Sequence, residues 1–135
     1  MPNKLKPLII GDLKINIPIF QGGMGVKVST APLVSAVANC GGAGTIASVG
    51  LFDGLNKKTA KFVQESSDSL RKEIRKTKKL TNGVFGVNIM VALSNYEELV
   101  KVSVQEEADF IVLGAGLPLR SPKLVEGSNI KLIII

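Results

Sequence analysis

Pro18-Ile19-Phe20-Gln21-Gly22-Gly23-Met24-Gly25 is an apolar run that breaks into a glycine loop, and Ser29-Thr30-Ala31-Pro32 follows it as a helix start. Glycines at 22, 23 and 25 add no packing bulk. They let a backbone turn sharply, take φ > 0, or lie against something flat. A strand that ends in such a loop and then enters a helix is a ligand-facing arrangement in α/β proteins. On this pattern alone, a tight strand-to-helix turn with no ligand explains the stretch equally well. The helix that follows is expected to be capped by Ser29 or Thr30, with Pro32 in its first turn, where a missing N–H is harmless. Leu33, Val34 and Val37 would form its apolar stripe, and Gly41-Gly42 would end it.

The same unit repeats outward along the chain. Before it, Leu8-Ile9-Ile10 and Leu13-Lys14-Ile15 flank Gly11-Asp12 and read as a hairpin suited to closing a barrel end. After it, Ala43–Ser48 reads as a second core strand. A polar segment from Asn56 to Leu80 follows, in which Ser66-Ser67-Asp68 is expected to separate two helices. Asp68 with Arg71, and Glu73 with Lys76, stand at helical ion-pair spacing. Val84–Met90 is a third strand. Ser94 and Glu97 have capping-box spacing ahead of a helix that reaches Glu107, with Leu99, Val100 and Val104 inward. Asp109–Leu113 is a fourth strand, Ser121-Pro122 opens a short helix stopping near Gly127, and Lys131–Ile135 is a fifth strand.

Strict alternation of strand and helix implies parallel strands joined by right-handed crossovers. The strands lack polar alternation, as expected when both faces are covered. An open doubly wound sheet and part of a (β/α)8 barrel both fit. The bare apolar ending, Leu132-Ile133-Ile134-Ile135, favours the barrel, whose usual length is ~250 residues. The expected architecture is therefore α/β: the N-terminal part, about five strands, of a TIM barrel with an N-terminal hairpin. Residues 1–135 would be an incomplete single domain, the N-terminal portion of a larger protein.

Composition narrows the chemistry. Apolar residues are 45% of the 135, enough for a core, and aromatics are only 4%. The chain has no His, which removes the commonest general base, the Ser-His and Cys-His pairs and most zinc sites. The net charge of +6 comes largely from a segment with interleaved acids and no aromatic platform, including Lys57, Lys58, Lys61, Arg71, Lys72, Arg75 and Lys76. That reads as a solvated helix face, with no nucleic acid as partner. No run approaches the ~20 apolar residues of a membrane span, so no membrane association is expected, and a single cysteine, Cys40, fits a reducing, cytoplasmic setting. Cys40 is expected to be an inert buried thiol, Met90 core filler, and Asp109, at a strand start, structural.

Barrel active sites lie at strand C-terminal ends. Those ends here are Gly22-Gly23-Met24-Gly25, Ala47-Ser48, Asn88-Ile89-Met90 and Gly114-Ala115-Gly116. They are small, amide-bearing or Met-bearing, with no cluster of charges. That suits a flat neutral ligand better than a metal or a hydrolytic triad. Pro18–Gly25, Gly41-Gly42-Ala43-Gly44-Thr45-Ile46, Phe85–Met90 and Gly114-Ala115-Gly116-Leu117-Pro118 resemble successive blocks of the nitronate monooxygenase family, the FMN enzymes once called 2-nitropropane dioxygenases. These are similar in turn to the flavin-containing enoyl-ACP reductase of the FabK type. The blocks stand in family order across nearly the whole chain.

The resemblance implies a TIM barrel that binds FMN and oxidises alkyl nitronates with O2; NAD(P)H-dependent enoyl-ACP reduction, or an inactive half-barrel, is the alternative. It implies that Gln21, Gly22, Gly23, Met24 and Asn88 contact the flavin, and that Gly114, Ala115 and Gly116 face a small-molecule substrate. Lys27 and Leu113 depart from the family pattern, which favours small residues there. The family's catalytic His and late phosphate-binding loops have no counterpart in these residues. The chain by itself is thus expected to be inactive, with no catalytic residue and no metal ligand of its own. A homo-oligomer or a complementing C-terminal chain is the expected partner.

Overall fold

The computed structural model describes residues 5–52 and 60–135. Lys57, Lys58 and the expected helix start near Asn56 lie outside the described residues. Leu8–Ile10 (β1) and Leu13–Ile15 (β2) pair antiparallel as a hairpin. Gly11 takes φ 61° in the connecting turn, a conformation glycine adopts without strain. Then come Ala31–Asn39 (α1), Gly44–Ala47 (β3), Ala60–Leu80 (α2), Phe85–Met90 (β4), Tyr96–Gln105 (α3), Phe110–Gly114 (β5), Ser121–Leu124 (α4) and Lys131–Ile134 (β6). The last four strands form one parallel sheet in the order β3-β4-β5-β6. Sequential parallel order with a helix in each crossover is the βα progression of a barrel wall.

Pro18–Gln21, the segment expected as the first core strand, is shorter than a strand. Phe20 makes one parallel bridge with Ala43, through Ala43 N–H to Ile19 O (2.9 Å) and Gln21 N–H to Ala43 O (3.0 Å). Backward, Ile19 N–H turns to Ile17 O (2.7 Å) instead of continuing the ladder, and Ile17 N–H takes Gly41 O (2.9 Å). The ladder's forward continuation is replaced by a side chain, described below. The segment still stands beside β3, where the first barrel strand belongs.

Helix ends depart from expectation in instructive ways. Thr30 is the N-cap of α1, but its side chain makes no cap bond; Glu73 of α2 instead accepts from Ala31 N–H at 2.5 Å. Glu73 thus serves a neighbouring helix, and no Glu73–Lys76 pair is formed. The far end of α1 closes as a Schellman motif. Gly41, at φ 90°, donates to Ala38 O, and Gly42 donates to Val37 O. Ser66-Ser67-Asp68 does not split α2. Ser66 Oγ donates back to Phe62 O (2.8 Å) and Ser69 Oγ to Glu65 O (2.8 Å), so the hydroxyls are satisfied on the helix itself. The Ser94 capping box is not formed: Asn95 is the N-cap of α3, and its Nδ2 donates across to Ser66 Oγ at 2.8 Å.

Two side chains sit further out than their types suggest. Cys40 is exposed because it is the C-cap of α1, beyond the last turn that packs on the sheet. Met90 is 38% exposed because it ends β4 on the inner face, the side that carries no helices.

Two apolar clusters lie on opposite faces of the sheet. On the helix side, Ile46, Val87, Ile89, Ile111 and Leu113 are buried against Val34, Leu70, Ile74, Leu99 and Val100. On the other side, Ile15 of the hairpin, Ala43 and Phe110 are buried, with Phe20, Val112 and Ile133 partly covered. The hairpin covers the end of this inner face where the strands begin, and Lys131 Nζ pairs with Asp12 at 2.5 Å to hold it there. Outside, Arg71 and Arg75 of α2 reach Glu106 beyond α3 at 3.1 and 2.8 Å, and Arg71 also pairs with Asp68 at 3.0 Å. Among the described residues, no helix is long and apolar enough to cross a membrane.

Candidate functional site

Residues at 45, 86, 88, 110, 112, 131 and 133 share the inner face by strand alternation. The register sets Asn88 beside Val112, and Val112 beside Ile133. The floor below them is aromatic. Phe110 and Phe20 meet edge to face at 5.3 Å, and Gly86 makes room for the Phe110 ring. A Cβ at Gly86 would stand 2.4 Å from Phe110 Cδ2 and 2.3 Å from its carbonyl oxygen.

Above this floor lies a cavity of about 510 Å³, lined by Leu8, Ile10, Phe20, Gln21, Gly22, Gly23, Thr45, Asn88, Val112, Ile133 and Ile135. None of these side chains is ionisable. Asn88 has no hydrogen-bond partner for its carboxamide among the described residues, though its backbone oxygen accepts from Ser48 N–H at 3.1 Å. A carboxamide left without a partner is one that can bond a ligand edge, as donor and acceptor both. Gly23 lies directly against it: a Cβ there would come within 2.5 Å of Asn88 Cβ. Gly22 differs. A Cβ at Gly22 meets nothing within 4 Å, so no neighbour in the chain requires glycine there. The space that a side chain would take is open.

Gln21, Gly22, Gly23 and Asn88 thus come together, while Met24 and Gly114-Ala115-Gly116 stand outside the lining. Met24 is 46% exposed, and its backbone faces Ser29, with N–H to Oγ at 2.8 Å. Gly114 is at the rim, close to Ile135, and its carbonyl accepts from Val91 N–H. Ala115, at φ 57°, and Gly116, at φ 148°, turn the chain away from the strand. Val112, Ile133 and the hairpin residues Leu8 and Ile10 stand outside the motif blocks, and Thr45, though inside one, was not among the expected site residues. Strand alternation from Asn88 would have indicated Val112 and Ile133, but only the three-dimensional fold brings in the hairpin.

A second hollow of about 500 Å³ opens where the strands begin, among Asp12, Glu107, Asp109 and Lys131. Its charges are committed to structure. Lys131 holds Asp12, and Asp109 accepts from Phe85 N–H at 2.9 Å. Burial raises the Asp109 carboxyl above its ordinary pKa, against the opposing pull of the Phe85 N–H and of Lys78. It is also at the stability end of a barrel wall rather than the catalytic end, so the cavity beside Asn88 is the candidate site.

A βα-barrel wall with a neutral, amide-bearing cavity at its strand ends is the usual place of a small-molecule site in this architecture. The family profile of nitronate monooxygenase matches residues 6–122, and the chain belongs to that family of flavin-dependent oxidoreductases. Among solved structures it is similar to FabK from Thermotoga maritima, with 32% identity and a TM-score of 0.68 over 87% of this chain and 33% of that one. It also shares its fold with nitroalkane oxidase from Streptomyces ansochromogenes, at 19% identity and a TM-score of 0.67, over 87% of this chain and 39% of that one. The chain thus spans about a third of the length of these structures. No curated protein sequence gave a match.

Proposed function

We propose that this chain forms the ring-facing wall of an FMN site in an oxidoreductase that oxidises alkyl nitronates with O2. The observation that carries the reading is the cavity wall itself. An unpartnered Asn88 carboxamide stands beside Gly22, whose missing side chain leaves open space, and Gly23, which lies flush on Asn88. This fits a flat heteroaromatic ring with polar edges. Val112 and Ile133 offer apolar contact, Asn88 a matched donor and acceptor, and the glycines close approach. Bound FMN would supply the redox chemistry, taking electrons from the nitronate and returning them to O2.

The chain's own residues bind and orient. Phe20 and Phe110 close the floor, Asn88 would hold a polar edge of the ring, and the wall would keep water from one face. A nitronate arrives already deprotonated, which suits a wall with no titratable side chain. Gly114, Ala115 and Gly116, at the rim one strand over from Met90, would border the substrate.

The test uses the protein at the full length its gene encodes, titrated with FMN and followed by flavin fluorescence. Asn88→Leu should weaken FMN by about tenfold, the size of one net hydrogen bond of ~1.4 kcal/mol. Unchanged affinity in both Asn88→Leu and Gly22→Val would sink the assignment of this wall. Oxygen uptake with a nitronate, against NADH oxidation with an enoyl thioester, decides the substrate. Enoyl reduction without nitronate turnover would replace the activity proposed here.

A further inference from the structure

We infer that Gln21 is a positioning residue whose side chain substitutes for a peptide group in the sheet, and that this frees the backbone N–H groups of Gly22 and Gly23 for a ligand. The ladder between the Phe20 segment and β3 starts in the ordinary parallel pattern, with Ala43 N–H to Ile19 O and Gln21 N–H to Ala43 O. One step further, that pattern requires Thr45 N–H to bond the Gln21 backbone oxygen and Gly23 N–H to bond Thr45 O. Neither bond is present. Instead Thr45 N–H donates to Gln21 Oε1 at 3.0 Å, and Gln21 Nε2 approaches Thr45 O at 3.3 Å. A primary amide carries a donor and an acceptor side by side, so one Gln side chain satisfies both edge groups of Thr45.

Ser29 locks this arrangement. It is 1% exposed. Its Oγ accepts from Gln21 Nε2 (2.8 Å) and Met24 N–H (2.8 Å), and donates to Gly22 O (3.3 Å). Gln21 Nε2 also lies against Gly22 O. The amide orientation is dictated by the network: flipped, it would set NH2 against Thr45 N–H and oxygen against two carbonyls. Both Nε2 hydrogens are therefore committed inside the protein, and the Gln21 side chain has no donor left for a cofactor. The gain falls to the glycines. Gly22 and Gly23 line the cavity, and their N–H groups have no hydrogen-bond partner among the described residues. Had the strand continued, the sheet would have taken the Gly23 N–H.

The ladder substitution stands on geometry alone; the ligand it serves rests on the flavin reading above. Amide hydrogen exchange on the full-length protein without flavin separates the two. Thr45 N–H should be protected, and Gly22 and Gly23 N–H should exchange freely. In Gln21→Leu, Thr45 should exchange at least about tenfold faster, while Ala47, which donates to Ser29 O, serves as the internal reference. Unchanged Thr45 exchange in Gln21→Leu, or protected Gly22 and Gly23 in the flavin-free wild type, overturns the inference. If Gln21→Leu does not fold, Ser29→Ala carries the test. It should speed exchange at Met24 and weaken FMN about tenfold, with Ser29→Thr restoring both; no change at Met24 also overturns the inference. A wild type that binds no flavin removes the functional reading, and the exchange pattern still decides the role of Gln21.

Discussion

The face of the sheet that carries the helices and the face that carries the cavity come from the same strands, one residue to each in alternation, yet they pack in opposite ways. Toward the helices stand Ile46, Val87, Ile89, Ile111 and Leu113, all buried. Toward the cavity stand Thr45, Gly86, Asn88, Phe110, Val112 and Ile133, where a polar amide has no partner among the described residues and a glycine yields its volume to a ring. The first face is chosen for volume and fills itself. The second is shaped by small and amide-bearing residues and is left open. A strand with no polar alternation hides this division, because both faces are largely uncharged.

Substitutions can break or sharpen the contrast. The largest effect belongs to the helix face: Ile111→Ala should destabilise the fold by about 2–5 kcal/mol, read by denaturant unfolding, through lost burial plus the cavity left behind. Gly86→Ala comes next, from the opposite direction. Its Cβ would overlap Phe110, so a loss of about 1–3 kcal/mol is expected, with a disturbed aromatic signal from the floor. Gly22→Ala should separate stability from binding. It meets no neighbour, so the unfolding midpoint should hold within about 0.5 kcal/mol while FMN affinity falls; a fall in stability with binding intact would mean the glycine serves the loop and not a ligand.

The smallest effect is a pH dependence on the helix face. The Glu106 carboxyl is held below its ordinary pKa, first by its hydrogen bond from Arg75, with Arg71 adding to it and burial opposing it. A depressed folded pKa gives stability that is present above the unfolded value and lost as pH falls through the folded one. Glu106→Gln should therefore lower Tm at neutral pH, by the equivalent of about 1 kcal/mol or less, and the gap from wild type should close as pH drops below the ordinary carboxylate range. A gap independent of pH would show that packing, not charge, joins α2 to Glu106.

Much of the fold was legible because each element announces itself locally. The hairpin turn at Gly11-Asp12, the Gly41-Gly42 helix end and the apolar runs of β4 and β5 are short-range signals, and their alternation dictates a parallel wall. Gly22, Gly23 and Asn88 were legible as cavity positions for the same reason: they sit at strand ends. What was hidden depends on distant partners. Glu73 looks like a partner for Lys76, yet it caps another helix 42 residues away in sequence. Asn95, not Ser94, begins α3 because Ser66 lies across from it. Gln21 reads as a cofactor contact by its place in the motif, but its amide is spent on Thr45 and Ser29. Cys40 was misread by residue type, since its exposure follows from standing one step past a helix.

The cap that Glu73 places on α1 has an electrical consequence. The first helix after a glycine loop ordinarily offers its positive end to a phosphate. Here that end already holds a carboxylate, at 2.5 Å from Ala31 N–H. An anion approaching α1 would meet a charge of its own sign, so this helix end is a poor seat for a phosphate. Inorganic phosphate should leave the Ala31 amide resonance unmoved in the wild type and shift it in Glu73→Ala; a shift in the wild type would show that the helix end is still open. Were the proposed flavin bound at this wall, its phosphate would have to be held by residues other than the α1 end.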